Sequence, residues 1–497
     1  MTDLPLVPAP LSATTTGGPG YVLGPRTRVV AGALPDVAST VAHRLSRLAG
    51  FAVPVTANGA DEPDTVVLRL VDDAAALGLP DAGLSPERAV GAYRVEVTER
   101  RVTLSALAVD GLLHAATVLE QLAAPGPDAG PGAVRLPAVV VVDAPRFGWR
   151  GLSVDVARHF FGPEVLRTVV DVMASLRLNV LHLHLTDDQG WRLDVPSRPQ
   201  LVDVSSKTAV GDDPGGYYSV DDLAELTAYA RARGITVVPE IDLPGHVNAA
   251  LHALGELTPS GEPTDPYTGI EVGFSRLHAD LPTTEPFLRD VLTDVAAMTP
   301  GPYVHVGGDE VHTMERAEYA RLVETAARIV EGAGKTVVGW QEVAKATLTP
   351  GTVVQLWDER DGAELVRPAV EAGALLLLSP ASKVYLDLKY DASTPIGLEW
   401  AGHVELRDSY DWDPLAVVPG VPESSVVGVE AAIWTETVRT PEDLFFLLLP
   451  RLAAVAEVAW TQGDRRSWEG FGVRVRHLAR SWDRAGLRWY RSPQIPW

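Results

Sequence analysis

From about Arg146 onward, short apolar runs of strand length alternate with longer amphipathic stretches, and this alternation restricts the chain to few architectures. The runs fall at Gly151–Val156, Val180–Thr186, Ile235–Ile241, Tyr303–Val306, Thr336–Val338, Val353–Leu356, Leu375–Leu378 and Val426–Ala432. Apolar residues recur at helical spacing between several of them, at Pro163–Leu176, Asp221–Arg233, Pro286–Ala297, Ala317–Val330 and Asp361–Glu371, and Pro441–Trp460 follows the last. The pattern predicts an α/β fold with a (β/α)8 TIM barrel. A doubly wound open sheet shares the alternation and is the main rival. Polar and aromatic residues favour the barrel, because they gather just past the carboxyl ends of most runs. Asp187 and Asp188 follow the second run, Glu240, Asp242 and His246 the third, and Asp309 and Glu310 the fourth. Trp340 ends the fifth, Trp357 and Asp358 the sixth, and Trp434 and Glu436 the eighth. In a barrel these ends converge on one mouth.

Ahead of the barrel, residues 1–145 mix short β-rich runs (Thr65–Leu70, Tyr93–Val97, Val102–Ala106) with helical stretches at Ala38–Ala49 and Asp110–Leu122. They read as a smaller α+β domain preceding a catalytic domain over 146–497. The first break is expected at the Pro/Gly-rich stretch Ala123–Leu136. The net charge of −23 disfavours nucleic acid and membrane surfaces as partners, but a neutral small molecule is not repelled. No cysteine is present, so disulfides and thiolate metal sites are excluded. Residues 1–20 lack a basic segment followed by an apolar core, and no apolar run approaches membrane-spanning length. A cytoplasmic location is therefore expected, with monomer or homo-oligomer left open.

His305–Glu310 (HVGGDE) leaves its run through two glycines and presents adjacent carboxylates. In a dry pocket such a pair resists double ionisation, so one member can hold a proton as a general acid. Cleaving a glycosidic bond needs an acid at the leaving oxygen and a second group acting at the anomeric carbon. Asp187, Asp242 and Glu436 all remain open as that second group. Of the twelve tryptophans, Trp340, Trp357 and Trp434 follow strand ends and Trp400 lies in Gly397–Gly402. Indole faces suit the apolar faces of sugar rings, and equally suit barrel packing. His182 and His184 alternate on the second run and, with His246, His305 and Asp309, could hold zinc. They lie inside the strand rather than at its mouth, so a hydrogen-bonded core pair is preferred, with no metal and no cofactor.

Five segments in order, Phe147–His159 (FGWRGLSVDVARH), His182–Arg192 (HLHLTDDQGWR), Pro239–His246 (PEIDLPGH), His305–Glu310 and Trp434–Glu436 (WTE), resemble glycoside hydrolase family 20, the β-N-acetylhexosaminidases. The resemblance implies a retaining exo-enzyme acting on terminal N-acetylglucosamine or N-acetylgalactosamine, with the substrate's acetamido group as nucleophile and an oxazolinium intermediate. It implies that Glu310 is the acid/base, that Asp309 holds the acetamido N–H, and that Tyr385 holds its carbonyl. Trp340, Trp357 and Trp434 would box the acetyl methyl and ring, with Trp400 toward the leaving group. Arg150 and Glu436 would grip the 3- and 4-hydroxyls, Asp387 would sit near the 4- and 6-hydroxyls, and His246 with Asp187 would support the acid/base.

Overall fold

The computed structural model describes residues 4–79, 84–125 and 134–497. All eight expected runs form strands, and they close in chain order into one parallel barrel: Trp149–Asp155, Val180–His184, Thr236–Glu240, Tyr303–His305, Thr336–Trp340, Val353–Leu356, Leu375–Leu378 and Val426–Ile433. Nearly every residue of these strands is buried, as parallel strands covered on both faces require. The helix expected over Pro441–Trp460 is two helices, Pro441–Leu448 and Arg451–Trp460. Pro450 has no amide hydrogen to continue the first one.

The preceding domain packs helices Pro35–Ala49 and Val109–Leu122 on a seven-stranded mixed sheet. Tyr93–Val97 alternates buried and half-buried residues, placing Tyr93, Val95 and Val97 under the helices. The Pro/Gly-rich stretch is not the domain break. Its outer residues Ala124–Pro125 and Val134–Leu136 pair in a small three-stranded sheet with Tyr21–Leu23, residues 126–133 lie outside the described residues, and the seven-stranded sheet takes in Val139–Asp143 beyond them.

A buried charged joint connects the two domains. Asp143 accepts from Tyr93 Oη (2.8 Å) and Trp460 Nε1 (2.9 Å), and pairs with Arg177 (3.1 Å). The Arg150 and Arg177 guanidinia each lie 4.8 Å from the Trp460 ring. Arg150 donates to the carbonyls of Arg177 (3.0 Å), Phe147 (2.9 Å) and Gly148 (3.2 Å). The expectation that Arg150 grips a ligand at the mouth is thereby overturned. It is the second residue of its strand and sits at the barrel's amino-terminal end, with its donors spent on the domain joint.

Candidate active site

The fourth strand turns into the mouth at Gly307 and Gly308, both left-handed (φ 66° and 114°). A Cβ on Gly307 would run into the Asp242 carboxylate, and the Gly308 amide donates to Asp242 Oδ1 at 3.1 Å. Tyr319 Oη donates to the Gly308 carbonyl at 2.7 Å. This tight turn delivers Asp309 and Glu310 side by side. His246 and Glu310 themselves adopt positive φ (53° and 51°). For non-glycine residues that costs about 1–3 kcal/mol each, and such strain concentrates at functional sites.

Above the turn lies a cavity of about 240 Å³ whose lining includes the acids Asp309, Glu310 and Glu436, the cation Arg158 and the aromatic residues Trp357, Tyr385, Trp400 and Trp434. The aromatic wall is tightly interlocked. Trp357 and Tyr385 are nearly parallel (14°, 6.4 Å), Trp400 meets both edge-on at 5.9 Å, and Trp434 lies 6.1 Å from Tyr385. Trp340 does not line the cavity; it lies fully buried beneath, 5.7 Å from Trp434. Trp400 stands half-exposed at the rim. Tyr385 and Asp387 come from the loop after the seventh strand. That loop is pinned by Arg451, whose guanidinium donates to the carbonyls of Leu386 (2.7 Å), Leu388 (2.8 Å) and Val404 (2.7 Å).

Electrostatics distinguish the carboxylates. Burial pushes Asp309 up to about 6, the adjacent Glu310 adds to the rise, and His246 opposes it. Burial would also raise Glu310, but the His246 hydrogen bond and charge outweigh it and hold Glu310 below the ordinary glutamate value. His246 Nε2 is 3.4 Å from Glu310 Oε2 and 3.8 Å from Asp309 Oδ2, and its Nδ1 is 3.2 Å from Asp187 Oδ1. Burial, with the charge of Glu436, lifts Asp387 to about 8. One oxygen each of Asp309, Asp387 and Glu436 is buried with no hydrogen-bond partner in the protein. Buried acceptors left this way are suited to a polar ligand.

The arginine at the mouth is Arg158, three residues past Asp155 at the end of the first strand. Its Nη2 is 2.7 Å from Asp187 Oδ2, and its guanidinium lies 5.0 Å from the Trp434 ring. Its sequence signal was available: an arginine just past a strand's carboxyl end, in the same segment that contains Arg150. Glu342 was also missed. Its buried carboxyl, pushed up to about 8 by burial and the Asp309 charge, accepts from Trp357 Nε1 at 3.2 Å. His182, Glu240 and His305 bring three ligand atoms within 4.8 Å, as a metal site would. Glu240 Oε2 lies 3.0 Å from His182 Nε2, and its Oε1 lies 3.0 Å from His305 Nδ1. These contacts make the trio a connected core network.

A closed barrel whose mouth joins a carboxylate pair to a walled aromatic pocket defines a glycoside hydrolase site. The family model described as "Glycosyl hydrolase family 20, catalytic domain" matches residues 147–463, and its "domain 2" counterpart matches 3–144. The chain is 54% identical to the beta-N-acetylhexosaminidase of Cellulomonas fimi, covering all of this chain and 98% of that protein. It is 33% identical to a beta-hexosaminidase of Vibrio furnissii, over 74% of this chain and 64% of that one. Among solved structures it resembles the GH20 beta-N-acetylhexosaminidase of Streptomyces coelicolor A3(2), with TM-score 0.91, 38% identity, and 100% and 99% of the two chains covered. A mutant Streptomyces plicatus beta-hexosaminidase in complex with its product GlcNAc gives TM-score 0.91 and 39% identity, covering 100% and 98%. The chain belongs to glycosyl hydrolase family 20.

Proposed function

We propose that this chain is a retaining exo-β-N-acetylhexosaminidase that removes terminal non-reducing N-acetylglucosamine or N-acetylgalactosamine, with chitooligosaccharides as the natural substrate class. One observation carries the assignment of roles: the Asp309–Glu310 pair and Tyr385 line one cavity of about 240 Å³, with room for one sugar ring. The substrate's acetamido oxygen attacks the anomeric carbon while Glu310 gives its proton to the departing glycosidic oxygen. Asp309 accepts the acetamido N–H and balances the charge that builds on the resulting oxazolinium ring. Tyr385, held protonated because burial raises it well above the ordinary tyrosine value, donates to the acetamido oxygen. Glu310, now a carboxylate, takes a proton from water, which attacks the same carbon and restores the β configuration.

Trp357 and Trp434 close around the acetyl group and ring, Trp340 supports them from below, and Trp400 meets the leaving-group sugar. Glu436, Asp387 and Arg158 bind the 3-, 4- and 6-hydroxyls, Arg158 taking the role that the sequence reading gave to Arg150. The unpartnered oxygens of Asp387 and Glu436 support this assignment. The division into residues 1–145 and 146–497 is part of the same proposal, supported by the separate sheet and barrel. So is cytoplasmic residence, which the cysteine-free sequence suits and cell fractionation tests. Among the described residues no helix is long and apolar enough to cross a membrane.

The deciding experiment compares 4-nitrophenyl β-glycosides of GlcNAc, GalNAc and glucose. Turnover of the two acetamido sugars with almost none of the glucoside is expected; efficient cleavage of the glucoside would overturn the mechanism.

A further inference from the structure

Beneath the acid/base, and leading up to the His246–Asp187 pair expected to support it, runs a continuous ladder of buried acids and histidines. Glu430 Oε1 lies 2.9 Å from His182 Nδ1, and His182 Nε2 lies 3.0 Å from Glu240 Oε2. Glu240 Oε2 is 2.6 Å from His184 Nδ1, and His184 Nε2 is 2.9 Å from Asp187 Oδ2. Asp187 Oδ1 then meets His246, which faces Glu310. Glu430, His182, Glu240, His184, Asp187 and His246 are all at most 2% exposed.

Donor arithmetic fixes the charge of His184. Both of its ring nitrogens face carboxylate oxygens, and because Glu240 and Asp187 are held ionised by the cations around them, both nitrogens carry hydrogen. The same arithmetic fixes Asp187. Its Oδ2 accepts from His184 and Arg158, and its Oδ1 accepts from the Asp188 amide at 2.5 Å and stands 3.2 Å from His246 Nδ1. The hydrogen shared by Asp187 and His246 is therefore on Nδ1, and Nε2 alone is left to exchange with the catalytic carboxylates.

Resting on the acid/base reading of Glu310, we propose that His184, held as an imidazolium between Glu240 and Asp187, is a positioning residue for the acid/base. By occupying Asp187 Oδ2 it leaves Oδ1 to orient His246, and its charge biases the protons shared by Asp309 and Glu310. The titratable groups around it are Glu240 and Asp242 from the third strand and its turn, Asp242 pushed well above the ordinary carboxylate range by burial and the Asp309 charge, His182 sharing Glu240 Oε2, and Asp187 beyond its own strand. Arg158 Nη1 lies 3.4 Å from its Nε2, and Asp309 feels its charge from the fourth strand. The Trp434 ring closes the remaining side edge-on at 5.0 Å. Burial lowers His184, but Glu240 and Asp187 outweigh it and keep the ring protonated well above the ordinary histidine range.

The test is His184→Gln, which keeps a donor toward Asp187 and removes the charge. It is read as the pH profile of kcat/KM on chitobiose and on an aryl β-GlcNAc with a good leaving group. The expected result is a loss of roughly 10-fold or more on chitobiose, where acid catalysis matters, and a much smaller loss on the aryl substrate. Both limbs of the profile should move to higher pH by about 0.5–1 unit, since removing a nearby positive charge raises carboxyl pKa values. Equal losses on both substrates with unmoved limbs would reduce His184 to packing and overturn the proposal. Glu310→Gln run alongside separates the two failures. If it spares chitobiose, the acid/base reading is wrong; if it discriminates and His184→Gln does not, only the present inference falls. Should His184→Gln not fold, histidine-selective 15N NMR of the unsubstituted enzyme decides. His184 should keep hydrogen on both nitrogens from pH 5 to 8, and a neutral ring in that range overturns the proposal.

Discussion

Replacing Arg150 by methionine should weaken the fold and leave turnover nearly untouched. Methionine keeps an unbranched apolar stem beside the Trp460 ring while removing the donors to the carbonyls of Arg177, Phe147 and Gly148. Charge-assisted hydrogen bonds are worth about 1.5–3 kcal/mol each. Against that stands relief of a buried cation whose pKa is pushed down to about 9 by burial and by the neighbouring Arg177, a penalty of a few kcal/mol. The balance leaves a destabilisation of about 1–3 kcal/mol, read as a fall of a few degrees in the thermal midpoint. Turnover of 4-nitrophenyl β-GlcNAc should stay within about twofold, because the strand separates Arg150 from its mouth-facing end, at Asp155, by about 16 Å. Arg158→Met is the matched comparison. Loss of its charged bonds to sugar hydroxyls should lower kcat/KM by about 100-fold or more. A steep loss of turnover in Arg150→Met at unchanged midpoint would refute this placement of the sugar.

The kcat/KM of the unsubstituted enzyme should fall as pH rises through about 6, because the carboxylate pair must bring one proton to the reaction and in the free site that proton rests on Asp309, whose pKa is raised to about 6; a pH–rate profile without that limb counts against the shared proton. Glu310→Gln should cost about 10²–10⁴-fold on chitobiose and far less on an activated aryl glycoside, as paired kinetics would reveal. Gly307→Ala forces a Cβ against Asp242 at φ 66°, so circular dichroism melts should show at least about 2 kcal/mol of lost stability, with activity lost alongside. Chitopentaose should release monomer and tetramer first; early dimer and trimer would mean a cleft rather than a pocket.

The barrel was legible because its evidence is local and repeated: every strand carries its own apolar run, and the polar residues past the ends point to one mouth. The carboxylate pair was legible for a related reason, since His305–Glu310 holds the turn glycines and the acids in one continuous segment. What failed was depth along a strand. Arg150 lies at the start and Arg158 just past the end of one strand in one motif, and the resemblance was carried to the first although position along the run favoured the second. The deciding facts lie far away in sequence: Trp460 and Arg177 claim Arg150, while Asp187 claims Arg158. Trp340 shows the same limit. It ends a strand as Trp357 does, yet donates to Glu240 at 2.8 Å and so belongs to the layer below the cavity. Glu342 was invisible for the converse reason, because an acid one turn past a strand end looks solvated until the Trp357 indole is seen to cover it.

The carboxylate pair raises a question that the geometry also answers. In the free site the higher pKa belongs to Asp309 and the lower to Glu310, yet the proposed chemistry needs the proton on Glu310 and the charge on Asp309. An acetamido N–H placed on Asp309 favours its ionised form, since hydrogen bonding to a carboxylate lowers its pKa. A sugar filling the cavity also removes water from Glu310, whose side chain is 26% exposed without it, and desolvation raises that carboxyl. Both changes push the shared proton the same way, from Asp309 to Glu310. The substrate would thus set the protonation state that its own cleavage requires. A 2-hydroxyl sugar can supply neither the N–H nor the nucleophile, so it would be rejected at the proton-placing step as well as at the bond-forming step. Measured apart from turnover, binding of a non-hydrolysable 2-acetamido analogue should therefore lower the Asp309 pKa and raise that of Glu310, whereas a 2-hydroxyl analogue should shift Asp309 little. Equal shifts with both analogues would mean that burial alone places the proton, and the acetamido contact to Asp309 would lose its role in preparing the acid.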